Sequence, residues 1–156
     1  MAFTVTRDTL DNNGPLFIRD VLRNELTDPL GTRQGSDWIV KSPVKNEDIS
    51  FPMVILDRWV TKEEEITFGG AVSIIATAGL MIWSAKTDAI KYRDELAQDI
   101  RKVLQDRTSS DGTKTMFSQG FGYKSSHTSI EDGYIKGFSE LIRIKEMEVE
   151  FVYMKR

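Results

Sequence analysis

The chain has 156 residues, 40% hydrophobic and 29% charged, with a formal net charge of −3. That length fits one domain and excludes separate cofactor and substrate lobes, while the near-average composition excludes collagen-like, coiled-coil and wholly disordered chains. The 21 basic and 24 acidic residues exclude a charge-driven coat for phosphate backbones, and zero cysteines with one histidine exclude disulfides, thiolate metal sites, thiol nucleophiles and histidine pairs.

The N-terminus, Met1-Ala2-Phe3-Thr4-Val5-Thr6-Arg7-Asp8, lacks the basic start, apolar run and cleavage site of a secretory signal. The longest apolar stretch, residues 71–83, falls short of a membrane-spanning helix. A soluble, intracellular chain with no membrane partner is expected.

Residues 1–13 read as a polar N-terminal arm ending in Asp11-Asn12-Asn13-Gly14. Pro15 suits a first helical turn, where its missing N–H costs nothing, and Ile18, Val21, Leu22 and Leu26 follow at helical spacing. Asp28-Pro29 and Gly31 stop this helix, which is expected over about residues 15–27. Residues 30–50 read as a loop containing a short strand at Trp38-Ile39-Val40. Pro52 opens a strand that runs from Met53-Val54-Ile55-Leu56 through Trp59 and Val60, a position where proline is tolerated. Lys62-Glu63-Glu64-Glu65 then interrupts it, and Gly69-Gly70 marks a turn.

Residues 71–83 carry Val72, Ile74, Ala76, Ala78, Leu80 and Ile82 in one phase and Ile75, Thr77, Gly79, Met81 and Trp83 in the other. Two apolar faces predict a central strand covered on both sides. Residues 84–106 give the strongest helical signal, with Thr87 as N-cap, Asp88 favourably placed for the helix dipole, and a stripe of Ala89, Tyr92, Leu96, Ile100, Val103 and Leu104. A polar loop follows at 106–113, then a weak strand over 116–123 broken by Gly120 and Gly122, then a polar irregular stretch over 125–133. Near the C-terminus, Phe138, Ile142 and Ile144 alternate in one phase and Met147, Val149, Phe151 and Tyr153 in the other. A bulge near Lys145-Glu146 in one bent strand, or two strands meeting there, is expected from that slip. The order α, β, β, β, α, β, β predicts an α+β fold: a mostly antiparallel β-sheet with two main helices packed on one face, in one domain over 1–156.

No motif carries chemistry by itself. His127 in Ser125-Ser126-His127-Thr128 invites a serine–histidine reading, but adjacency in an irregular loop supplies neither a held geometry nor an orienting acid; a solvated loop histidine is expected. Gly120-Phe121-Gly122-Tyr123-Lys124-Ser125 has neither phosphate-loop nor dinucleotide spacing and reads as a twisted or bulged strand. Glu63-Glu64-Glu65 lacks the oxygen-rich, glycine-centred loop of a hard-cation site and reads as a solvated hairpin tip. Among the aromatic residues, only Tyr123-Lys124 interleaves locally with a base, so core filling is expected for the rest. No catalytic, cofactor-binding or metal-binding residue is assigned.

The arrangement as a whole is more informative. It comprises the helix with Ile18-Arg19-Asp20-Val21-Leu22, the opening Phe51-Pro52-Met53-Val54-Ile55-Leu56, the junction Leu80-Met81-Ile82-Trp83-Ser84-Ala85-Lys86, and the helix from Asp94-Glu95-Leu96 to Lys102-Val103-Leu104. Over about residues 15–105 this resembles the tail terminator, or tail-completion, proteins of tailed viruses, small α+β proteins that form a hexameric ring. The resemblance implies a non-enzymatic virion protein with no cofactor, assembled in the host cytoplasm and located at the tail–neck junction. Its partners would be further copies of itself, the tail tube protein and the neck or connector proteins, with genome DNA passing through the lumen without specific binding. The alternative is a monomeric or dimeric ligand-binding or enzymatic α+β domain with a concave pocket.

The connection over 61–70 is roughly ten residues long where two suffice for a tight hairpin. Such a loop either is a flexible solvated excursion or projects with a role outside its own domain; in a terminator-like ring it would contact the neighbouring subunit or the tube through Lys62, Glu63, Glu64, Glu65, Ile66 and Phe68.

Overall fold

The computed structural model describes residues 7–65, 72–106, 115–134 and 140–153. The chain runs through α1 (Arg7–Glu25), α2 (Gly35–Trp38), β1 (Ile39–Lys41), β2 (Met53–Glu65), β3 (Val72–Ser84), α3 (Ala89–Gln105), β4 (Phe121–Ile130) and β5 (Arg143–Tyr153). The five strands form one sheet in the order β1-β2-β3-β5-β4. Only β1, beside β2, is parallel to its neighbour. This is the expected α+β architecture, with β3 central as its two apolar faces predicted.

Strand alternation sorts the side chains. One face carries Val54, Leu56, Ala76, Ala78, Leu80, Ile82, Met147, Val149 and Phe151, all buried. Onto it α1 lays Ile18, Val21 and Leu22, and α3 lays Leu96, Ala97, Ile100 and Leu104. Burying each large aliphatic side chain contributes about 1.5–3 kcal/mol. Trp59, Phe121 and Phe151 close one end of this core, with Trp59 edge-on to Phe121 at 5.5 Å between ring centres.

α1 is described from Arg7, well before the expected start, so Pro15 lies inside the helix and residues 7–13 of the expected N-terminal arm are helical, residues 1–6 lying outside the described residues. Packing overrides the turn propensity of Asp11-Asn12-Asn13-Gly14. Gly14 is buried, and a Cβ there would overlap the Trp59 indole, so the bare glycine lets α1 seat directly on the ring.

Three further expectations are corrected. β2 does not stop at Val60: Lys62, Glu63, Glu64 and Glu65 pair with Ile75, Ile74, Ser73 and Val72. A ladder needs backbone partners, not apolar side chains, and Lys62 and Glu63 simply face solvent. β4 starts at Phe121 and runs through the stretch expected to be irregular, after a 3₁₀ turn at Phe117–Gln119 that ends on Gly120 with φ 96°. As an edge strand with most of Lys124–Ile130 exposed, it has no buried face to impose alternation. The expected bulge is absent from β5, whose pairing with β3 is continuous across Lys145 and Glu146. The irregularities lie instead in β2 between Leu56 and Arg58 and in β4 between Tyr123 and Ser125. Apolar residues occupy both phases near Ile144 because Ile144 pairs with Trp83 on the far face, where Met53 and Ile55 are also buried. Phe138 lies outside the described residues.

α3 is preceded by Asp88 rather than Thr87 at its N-cap, with φ 62° and no side-chain capping bond. Between α1 and β2, the Asp28 carboxylate accepts bonds from the Arg33 guanidinium (2.7 Å) and the Leu30 and Arg33 N–H groups. Arg33 also donates to the Ser50 carbonyl at 2.8 Å and lies over the Trp38 ring at 5.2 Å. One buried ion pair thus ties together a segment whose sequence reads as loop. No helix among the described residues is long and apolar enough to cross a membrane.

Candidate functional site

Register places four residues in one transverse row on the face opposite the helices. Arg58 of β2 pairs with Gly79 of β3, Gly79 with Glu148 of β5, and Glu148 with His127 of β4. Arg58 reaches across the glycine, and its Nη2 donates to Glu148 Oε1 at 2.9 Å. His127 Nε2 lies 3.0 Å from the other carboxylate oxygen, Oε2. Towards the next row, Lys124 Nζ is 3.6 Å from Glu150 Oε2. The row floors an open groove of about 220 Å³, to which Met81, Ser129 and Glu146 also contribute.

Gly79 is what lets the row form. A Cβ there would stand 2.6 Å from Arg58 Cγ and 2.9 Å from its Nε. Arg58→Ala is expected to cost less than about 1 kcal/mol, because the pair is half-exposed and screened. Gly79→Ala is expected to cost about 1 kcal/mol more in wild type than in the Arg58→Ala background, where the added methyl has room. Urea denaturation of the two single variants and the double variant measures this coupling; additive losses would contradict the crossing.

His127 therefore sits on a strand and not in the expected loop, and Glu148 is its partner. The hydroxyl beside it in sequence, Ser126 Oγ, is 2.7 Å from Tyr123 Oη, so Ser126 and His127 do not form a nucleophile–base pair. Among the described residues, no group of three His, Asp or Glu side chains is placed to hold a metal ion.

On the helix-bearing face, a second charged network fastens α3 to β5. Arg93, only 5% exposed, donates to Asp94 Oδ1 at 3.0 Å, and Lys145 Nζ approaches the same oxygen at 3.0 Å. Arg143 donates to Asp132 Oδ2 at 2.8 Å. Burial alone would raise the Asp94 carboxyl, but the Arg93 and Lys145 bonds outweigh it and hold it below its ordinary value. The Arg143 hydrogen bond does the same for Asp132.

Between α3 and β4 runs a groove of about 400 Å³ bordered by Gln98, Arg101, Lys102, Thr128 and Lys145. Arg101 and Lys102 are exposed, and neither is in an ion pair among the described residues.

Of the interface residues expected from the sequence, Lys62 and Glu63 are exposed at the far end of β2, and Glu64 and Glu65 continue its backbone ladder. They form a strand end and not the expected free loop; Ile66 and Phe68 lie outside the described residues. Lys62 shares the face of Arg58, and Glu63 the helix-bearing face. Arg58, Gly79, Glu148, Arg101 and Lys102 were not singled out from sequence, because only strand register and helix placement bring them together.

The sheet has two unlike edges. β1 borders β2 only along Val54–Leu56, so the rest of that side of β2 carries no described strand. On the opposite side, β4 is the last described strand along its whole length. Compared with known proteins, the chain matches no protein-family model and no curated protein.

Proposed function

We propose that this chain is the repeating subunit of a ring that terminates the tail tube of a tailed virus and joins it to the neck. The observation that carries the reading is the pair of unlike edges on opposite sides of one sheet, the outer side of β2 and the outer side of β4. Exposed edges present unpaired N–H and C=O groups that invite another strand. Because the two edges differ, joining one to the other is a head-to-tail contact, and repetition of such a contact builds a ring where the rotation between copies closes and an open filament where it does not. The charge distribution supports the same reading: among the described residues, the part of the face opposite the helices around Gly79 carries paired charges, Arg58 with Glu148 and Lys124 with Glu150, along an open groove.

In this function the ring caps the tube end, stops its polymerisation and leaves a lumen for genome DNA, with the neck proteins on its other side. The chain acts at the tail–neck junction of the virion after assembly in the host. The test is tube growth: added to polymerising tail tube protein, the chain should bind tube ends and arrest elongation at substoichiometric ratios. Tubes that elongate unchanged, with no chain at their ends in electron micrographs, would contradict the proposal.

A further inference from the structure

We infer that the ring is held by strand addition: the outer part of β2 from one copy pairs antiparallel with β4 of the next, and Glu63 meets Arg101 and Lys102 across the joint. This rests on the ring reading above and specifies its partner surfaces.

Strand direction supports it first. β3 runs antiparallel to β2, β5 antiparallel to β3 and β4 antiparallel to β5, so β4 runs opposite to β2. A second copy in the same orientation therefore brings its β2 antiparallel to β4. Set level, it would put β1 against Thr128–Ile130 and Glu63 opposite Phe121, so the copy is displaced by about four residues along the strands, which clears β1 and sets Glu63 opposite Ser126. Length agrees too: β2 extends from Asp57 to Glu65 beyond its pairing with β1, and β4 spans Phe121–Ile130. Strand addition at an exposed edge draws its affinity from main-chain hydrogen bonds and its specificity from alternate side chains.

Phase and charge select the pairing. Glu63 pairs with Ile74, in the phase of the helix-bearing face. In the displaced copy Glu63, opposite Ser126, thus projects to the side on which Arg101 and Lys102 border β4 at Ser126–Thr128. Glu63 is exposed with no ion pair among the described residues, as are Arg101 and Lys102. Unlike charges at the two edges steer docking and set its polarity, while acidic-to-acidic or basic-to-basic meetings are repelled. A second copy of this chain supplies the strand sense, the length and the charge together.

The test uses the full chain and its solution mass over a concentration series. Glu63→Arg alone, and Arg101→Glu with Lys102→Glu, should each raise the concentration at which rings dissociate by at least tenfold. The three substitutions in one chain restore opposite charges and should return assembly towards wild type. Circular dichroism spectra should be unchanged, since all three positions are exposed. Wild-type rings that persist in both charge-reversed variants, or dissociation that the combined variant fails to repair, would overturn this interface while leaving the ring. A wild-type chain that is monomeric throughout would overturn the ring as well.

Discussion

Truncating Leu96 or Ile100 to Ala is expected to lower the free energy of unfolding by about 2–5 kcal/mol at either site. Both side chains are fully buried on the face of α3 that packs against β3 and β5. The loss combines transfer of the removed methyl groups with the cavity left behind, because strands on a continuous ladder cannot close in to fill it. Ile90, on the same helix but half-exposed, is the internal control, and Ile90→Ala should cost under about 0.5 kcal/mol. Urea denaturation at neutral pH reads all three. Losses below about 0.5 kcal/mol at both Leu96 and Ile100 would mean that this stripe is not the core.

The second large effect belongs to Asp28. Burial alone would raise its pKa, but the Arg33 hydrogen bonds and the Leu30 and Arg33 backbone N–H groups overcome this and hold it at about 2, against an ordinary 3.8. A depressed carboxylate contributes stability in full above its unfolded pKa and loses it as pH falls through the folded value. The window is therefore about pH 4 down to about pH 2, and the contribution about 2 kcal/mol. Asp28→Asn removes the charge but leaves the Arg33 head group, whose side chain is 10% exposed, without its counter-ion. That is expected to cost about 3–5 kcal/mol at pH 7. Between pH 5 and pH 2 the variant should lose less further stability than wild type. Equal acid sensitivity in the two proteins would contradict this account of the pair.

Apolar periodicity marks burial, which is why it located some elements and not others. β3 and α3 announce themselves because Ile74–Ile82 and Leu96–Leu104 meet the core along their length. β4 is silent because it is an edge, and Ser125, His127, Thr128 and Ser129 owe their strand conformation to β5 beside them. The charged end of β2 was misread for the same reason: Lys62 to Glu65 signal solvent, and solvent is compatible with a ladder. Pro15 misled in the opposite direction, since a local rule placed the helix start where Gly14 against Trp59 carries the helix through.

The charged row was still less legible. Arg58, Gly79, His127 and Glu148 become neighbours only when four strands take their register, and no spacing along the chain encodes that. Along the sequence Gly79 is only one position in a mostly apolar strand; its purpose depends on an arginine in the preceding strand. The interface segment was partly legible. The run Lys62-Glu63-Glu64-Glu65 stood out by charge, whereas the groove proposed to receive Glu63, built by α3 and β4 from distant parts of the chain, did not.

Both the proposed function and the interface depend on closed head-to-tail assembly, so the most direct measurement is the mass of the purified chain in solution. Sedimentation velocity across a broad concentration range should give one dominant species of six chains, with an annular outline in negative stain. A chain that sediments as a monomer or a simple two-fold dimer at every concentration would contradict the account.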